Sequence, residues 1–164
     1  MKRLTLACLI LTSHMAISQS VANEQLKKLH FLSGVWRGEG WTLVNDLKHS
    51  FTETETAVVR IDGAAFEIEA SGVSKTDPSK KIVNAVALIS YDESNSTYLM
   101  RLADGDGSSI DPYLEFTGEH KLEWGLKDQI KFTIEINGNT WKETGYKNKA
   151  GTWTKTFEIV LTKR

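Results

Sequence analysis

Residues 129–136 carry the pattern that most restricts this chain: Ile130, Phe132, Ile134 and Ile136 alternate with Lys131, Thr133 and Glu135, and Asn137-Gly138 follows at once. Alternation at period two places the apolar residues on one face of an antiparallel strand and the polar residues on the other. Asn-Gly supplies the positive φ angles of a two-residue type I′ turn, so the next run, 140–146, must fold back beside the first. A chain that repeats this unit from end to end builds a meander of strands, not a helical or α/β domain.

The unit does repeat. Ten runs read as strands: 36–44, 48–61, 64–73, 82–91, 97–103, 113–116, 121–126, 129–136, 140–146 and 152–162. Asp62-Gly63 and Asn137-Gly138 are hairpin signals, Thr76-Asp77-Pro78-Ser79-Lys80 is a polar turn, and 104–112 is the longest loop. In 64–73, Ala64, Phe66, Ile68 and Ala70 oppose Glu67 and Glu69. Run 82–91 is apolar on both faces and is expected to be the most enclosed. In the last run Trp153, Phe157, Ile159 and Leu161 are expected on one side. Gly38 and Gly40 share a face of the first run, where the backbone bends or passes close to another element. The expected fold is all-β, an up-and-down antiparallel barrel of about ten strands, because closure removes exposed strand edges. One helix is expected, over 23–32, with Asn23 as its cap and Leu26, Leu29 and Phe31 or Leu32 as its apolar stripe. Gly34 ends it. So short a helix needs tertiary support and is expected to cover one end of the barrel.

The first 18 residues read as a signal peptide. Met1-Lys2-Arg3 is basic, residues 4–11 are apolar but too few to span a bilayer, and Ala16-Ile17-Ser18 offers small residues for cleavage before Gln19, with Ser20-Val21-Ala22 as a competing site. The expected product is one domain over 19–164, periplasmic or secreted. The only cysteine, Cys8, lies in the leader, so the processed chain would have no disulfide, thiolate metal site or cysteine nucleophile. Processing leaves 18 basic against 21 acidic residues, a net charge of −3. That balance lacks the clustered basic footprint of a nucleic-acid binder. No second apolar stretch is long enough to be an integral membrane segment.

The stretch Phe31-Leu32-Ser33-Gly34-Val35-Trp36-Arg37-Gly38-Glu39-Gly40, with Gly63-Ala64-Ala65-Phe66 and Ile89-Ser90-Tyr91-Asp92, resembles the calycin superfamily, which includes lipocalins and fatty-acid-binding proteins. More narrowly it resembles the lipocalin-like proteins of uncharacterised function exported by bacteria. The likeness covers most of the processed chain in pattern and a few short motifs in residues. It implies a barrel that holds a small ligand. The Trp-x-Gly-x-Gly opening is also similar to nitrobindin, a haem-binding barrel whose proximal histidine lies near the C terminus. No histidine follows His120 here, so no haem ligand carries over, and no cofactor is expected.

Candidate site residues come from the faces of the strands. Glu53 and Glu55 share a face with Phe51, Ala57 and Val59 if alternation in the second run is unbroken. Both would then point into the barrel, where a carboxylate is costly unless paired. The preferred expectation is a bulge near Thr56 that returns them to water, since a strand this long usually bends. Arg101 shares a face with Leu99 and Ala103. Facing inward it would bind a carboxylate head group or pair with a glutamate; facing outward it would be a surface residue. Trp41, Trp124, Trp141, Tyr146 and Trp153 are core candidates, and the first four of these are expected to contribute to any ligand-lined cavity.

His30, His49 and His120 show no metal-ligand spacing, and no metal site is expected. Asp104, Asp106, Ser108 and Glu115 fall at positions 1, 3, 5 and 12 of a calcium loop, but Ser109 replaces the glycine of position 6, so an acidic turn explains them more simply. No catalytic grouping emerges. The expected function is the binding of a small hydrophobic or amphipathic ligand inside the barrel. Two alternatives stay open: an enzyme with acid–base residues in the barrel mouth, and a protein-interaction module with a filled core.

Overall fold

The computed structural model describes residues 20–164; the expected signal peptide and Cys8 lie outside the described residues. A seven-residue helix, α1 (Val21–Lys27), opens this part of the chain, and a 3-10 turn follows at His30–Leu32. The cap is Ser20 rather than Asn23: Asn23 stands inside the first turn, and its backbone N–H donates to Ser20 Oγ at 3.2 Å. Serine at this position satisfies a helix N–H that has no partner within the helix. Gly34, at φ 131°, then turns the chain into the sheet.

Eleven strands follow: β1 (Gly34–Val44), β2 (Leu47–Arg60), β3 (Ala65–Ser74), β4 (Lys81–Asp92), β5 (Thr97–Asp104), β6 (Ser109–Ile110), β7 (Tyr113–Gly118), β8 (Lys121–Leu126), β9 (Ile130–Asn137), β10 (Thr140–Lys149) and β11 (Thr152–Lys163). The ten expected runs are all present, with β6 added inside the longest loop. Every pairing is antiparallel, and the sheet order is β6-β5-β4-β3-β2-β1-β11-β10-β9-β8-β7. First and last strands are neighbours, so the meander curls round on itself as a half-barrel. β5 and β7 pack together at the seam, but no ladder joins them.

Helix α1 covers one end. Leu26, Leu29 and Leu32 are buried and join Trp36, Phe66, Ile89, Leu122 and Leu161 in one cluster. Trp36 Nε1 donates to Leu32 O at 2.7 Å, which ties the chain entering β1 to the plug above it. Tyr98 Oη donates to Gln25 O at 2.9 Å and fixes the helix to β5. A helix of two turns gains its order from these contacts, not from its own hydrogen bonds.

Among the described residues nothing covers the outer face of the curled sheet, and two expectations are corrected. Strand β4 is not enclosed on both sides: Ala87 and Ile89 are buried, while Val86 and Leu88 face solvent at 39% and 45% exposure. In β11 the apolar residues do not share one side. The β10–β11 register shifts between Gly145 and Tyr146, where Phe157 pairs with Gly145 but Lys155 pairs with Tyr146. The extra residue reverses the facing of everything before it. Phe157, Ile159 and Leu161 therefore point inward and Trp153 points outward, beneath Lys131 Nζ at 5.1 Å.

Gly38 has the close approach expected of it. A Cβ there would fall 2.1 Å from Val160 O and 2.8 Å from Leu161 Cα, so β1 and β11 meet at a spacing that excludes any side chain.

Candidate functional site

Strand β2 keeps its alternation throughout. Phe51, Glu53, Glu55 and Ala57 are all buried, and the register against β1 and β3 runs without a shift. The expected bulge near Thr56 is absent. The irregularities fall instead on other strand pairs, at Gly72/Val73 between β3 and β4, at Phe116/Gly118 between β7 and β8 and at Gly145/Tyr146 between β10 and β11. Both glutamates therefore point inward, at 4% and 5% exposure.

Three of their four cross-strand neighbours are small, and the fourth is Trp36, beside Glu55. Gly38 and Gly72 flank Glu53, Ala70 stands beside Glu55, and Ala85 stands beside Ala70. Missing side-chain volume at Ala70 and Ala85 leaves a hollow. It measures about 290 Å³ and extends to a recess of about 60 Å³ lined by Ile68, Met100 and Trp141. Thr42, Ile82 and Asp104 line the larger space at the end away from α1. Trp124 and Phe132 stack at 4.2 Å between centroids along one wall, and Phe157 packs edge-on against Phe132 at 5.5 Å. Such a mix, mostly apolar with a few convergent polar groups, is the make-up of a small-molecule site.

A third carboxyl completes the interior, and the sequence reading missed it. Glu143, 6% exposed, follows Trp141 by two residues on β10 and so shares its inward face. Trp124 Nε1 donates to its Oε1 at 3.0 Å, and Trp141 Nε1 donates to its Oε2 at 3.3 Å. The signal available in the sequence was this spacing from an apolar, inward tryptophan. Glu53 and Glu55 are different. Their Oε2 atoms are buried and find no hydrogen-bond donor among the described residues.

Burial raises the proton affinity of all three. Loss of solvent pushes Glu143 up to about 7, against the opposing pull of the two indole N–H groups. Loss of solvent, with the charge of Glu143 added, pushes Glu53 upward. Glu55 is raised well above the usual carboxylate range by burial first, then by Glu53 and Glu143. Two carboxylates cannot hydrogen-bond to each other, so the Glu53–Glu55 pair closes on itself only when one member holds a proton.

The structure thus sorts the seven candidates. Glu53, Glu55, Trp124 and Trp141 line the interior. Trp41, Arg101 and Tyr146 do not. Trp41 alternates with Gly40 and Thr42 and lies on the outer face between Lys48 Nζ at 4.5 Å and Lys155 Nζ at 5.5 Å. Arg101 alternates with buried Met100 and lies outside, bonded to Asp111 at 2.8 and 3.0 Å and to Ser109 at 2.8 Å. It meets neither glutamate. Tyr146 faces outward by the unbroken alternation of β10 after Trp141 and Glu143, paired with Lys131, whose Nζ lies 6.0 Å from its ring.

Among the described residues, no three His, Cys, Asp or Glu side chains are set to hold one metal ion. His30 stacks on Phe66 at 6.4 Å and His120 tilts over Phe31 at 5.0 Å. In the acidic loop, Asp106 Oδ1 accepts the Ser108 N–H, while Asp111 is taken up by Arg101.

No protein-family model matches the sequence, and no curated protein matches it. Solved structures do. Rv2717c from M. tuberculosis superposes with a TM-score of 0.62 at 14% identity, over 85% of this chain and 96% of that one. Zebrafish ileal bile acid-binding protein, complexed with cholic acid, superposes with a TM-score of 0.50 at 13% identity, over 82% of this chain and 99% of that one. At these identities the likeness is one of architecture. The described chain is a curled, all-antiparallel sheet with one short helix over its end, and its fold is calycin-like.

Proposed function

We propose that this protein is an exported binding protein that holds a small apolar or amphipathic ligand inside its curled sheet. The observation that carries the reading is the hollow of about 290 Å³, walled by Trp124, Phe132 and Phe157 and made by small residues on β3 and β4. The zebrafish protein of similar fold was solved with cholic acid, which supports reading the interior as a ligand site. Export rests on the leader pattern of residues 1–18. No helix among the described residues is long and apolar enough to cross a membrane.

The test uses the tryptophans that line the hollow. Titration with neutral 1-octanol is expected to change the emission of the wild-type protein saturably, and the double replacement W124F/W141F is expected to remove most of the change. Absence of any saturable change with neutral alcohols of roughly four to twelve carbons, the range such a volume admits, would overturn the proposal.

A second reading has its own support. Three buried carboxyls, one of them brought to about 7 by burial, are suited to proton transfer near neutral pH. In an acid–base enzyme, single replacement of Glu53, Glu55 or Glu143 would abolish turnover while binding persists.

A further inference from the structure

The interior asks for a particular head group. Among the side chains lining the larger hollow, four are acidic, namely Glu53, Glu55, Asp104 and Glu143, and none is Lys or Arg. The lysines nearest in sequence and pairing, Lys48, Lys131 and Lys155, are outside, over Trp41, Tyr146 and Trp153. Arg101, the one cation whose strand position left an inward facing open, is engaged with Asp111 on the outer surface. A ligand carboxylate would therefore enter a space of its own sign with no counter-ion, at a cost that low-dielectric surroundings enlarge.

Glu143 is already provided with two indole donors. Glu53 and Glu55 are not: each has a buried Oε2 with no donor among the described residues, on a face that lines the hollow. Buried polar atoms are nearly always paired, and an unpaired one in a native interior calls for an explanation. Here the missing partner is a donor. Ala70, beside Glu55, and Ala85, paired with Ala70, line the hollow and leave the room that such a donor would need.

We propose that Glu53 and Glu55 form a head-group site for an organic ammonium ion, a primary amine whose apolar tail lies along Trp124, Phe132 and Phe157. This rests on the reading of the interior as a ligand cavity and specifies its ligand class. An ammonium group brings three N–H donors and a positive charge, which satisfies both free carboxyl oxygens and offsets the ionisation of the pair. Without it the pair holds a proton; with it that proton leaves. Ammonium binding and proton release are thereby linked, and the amine should bind more tightly as the pH rises from 6 to 8.

The experiment compares octylamine, 1-octanol and octanoate, equal in tail and different in head, by tryptophan emission and calorimetry at pH 6, 7 and 8. Octylamine is expected to bind at least tenfold more tightly than 1-octanol at pH 8, with its advantage growing with pH and proton release seen as a buffer-dependent heat. Octanoate is expected to bind most weakly at pH 8. The E53Q/E55Q variant is expected to keep 1-octanol binding and lose the octylamine advantage. Equal affinity for the amine and the alcohol, or preference for octanoate, overturns the head-group assignment alone. Failure of all three to bind overturns the cavity reading beneath it. The wild-type comparison stands even if the double variant does not fold.

Discussion

Trp124 Nε1 on β8 donates to Glu143 Oε1 on β10 at 3.0 Å, reaching past the intervening strand β9 inside the curled sheet. With the 3.3 Å bond from Trp141 it gives a buried carboxyl two donors and no cation. The W124F variant keeps the ring and removes the N–H. Leaving a buried acceptor short of a partner costs about 1–3 kcal/mol. The loss should be larger at pH 8 than at pH 5.5, because the indole N–H favours the charged form of Glu143. Urea unfolding of wild type and W124F at the two pH values checks it.

Stability should fall as the solution becomes more alkaline. A carboxyl whose native pKa is raised binds more protons when folded than when unfolded. Its contribution is complete below the unfolded value, near 4.5, and is lost as pH rises through the native value, about 7 for Glu143. For that group the span corresponds to on the order of 2–4 kcal/mol, and the Glu53–Glu55 pair adds in the same direction. Thermal midpoints measured from pH 5 to 8.5 should decline. E55Q, which fixes the neutral form, should flatten the decline and be more stable than wild type at pH 8. A midpoint that rises over this range would mean that the three carboxyls are hydrated.

Gly38 tolerates no side chain. In G38A the new methyl would sit 2.1 Å from Val160 O, and forcing strands apart to admit it should cost roughly 1–3 kcal/mol or more. Gly118 is the control: a Cβ there meets only the flexible Lys121 side chain, no closer than 3.5 Å. G118A should change stability by less than about 0.5 kcal/mol. Denaturant midpoints of the two variants compare them directly.

Residues on the outer face should leave ligand binding alone. W41A, R101A and Y146A are each expected to bind 1-octanol within about twofold of wild type, a difference of less than about 0.5 kcal/mol. The Arg101–Asp111 pair is 60% and 67% exposed, so its loss should cost no more than about 1 kcal/mol. A tenfold loss of affinity in any of the three would place the ligand outside the sheet.

Period-two alternation was enough to read the strands and most of their faces. Phe66, Ile68 and Ala70 turn inward, as do Ile134 and Ile136. It was also enough to place Glu53 and Glu55, had the length of β2 not argued for a bulge. Irregularities belong to strand pairs, and those of this sheet lie at Gly72/Val73, Phe116/Gly118 and Gly145/Tyr146. The last of them put Trp153 outside, while Tyr146 faces outward by plain alternation from Trp141 and Glu143. Arg101 was ambiguous because both faces of β5 carry apolar residues: Met100 is buried, while Leu99 is 51% exposed. Glu143 was hidden between Lys142 and Thr144 in a polar stretch, and only its spacing from Trp141 marked it as interior. The hollow itself was not legible, since Ala70 and Ala85 are apart in sequence and adjacent only through register.

The central claim is that ligand occupies the space these small residues leave. Ala85 lines both parts of that space, so A85F, with A70L as a smaller intrusion, fills it from the wall. The deciding measurement is the affinity of each variant for 1-octanol, taken beside a circular dichroism spectrum that shows the sheet intact. The account predicts a loss of at least tenfold in A85F and a lesser loss in A70L, with unchanged spectra. Wild-type affinity in a folded A85F protein would contradict it.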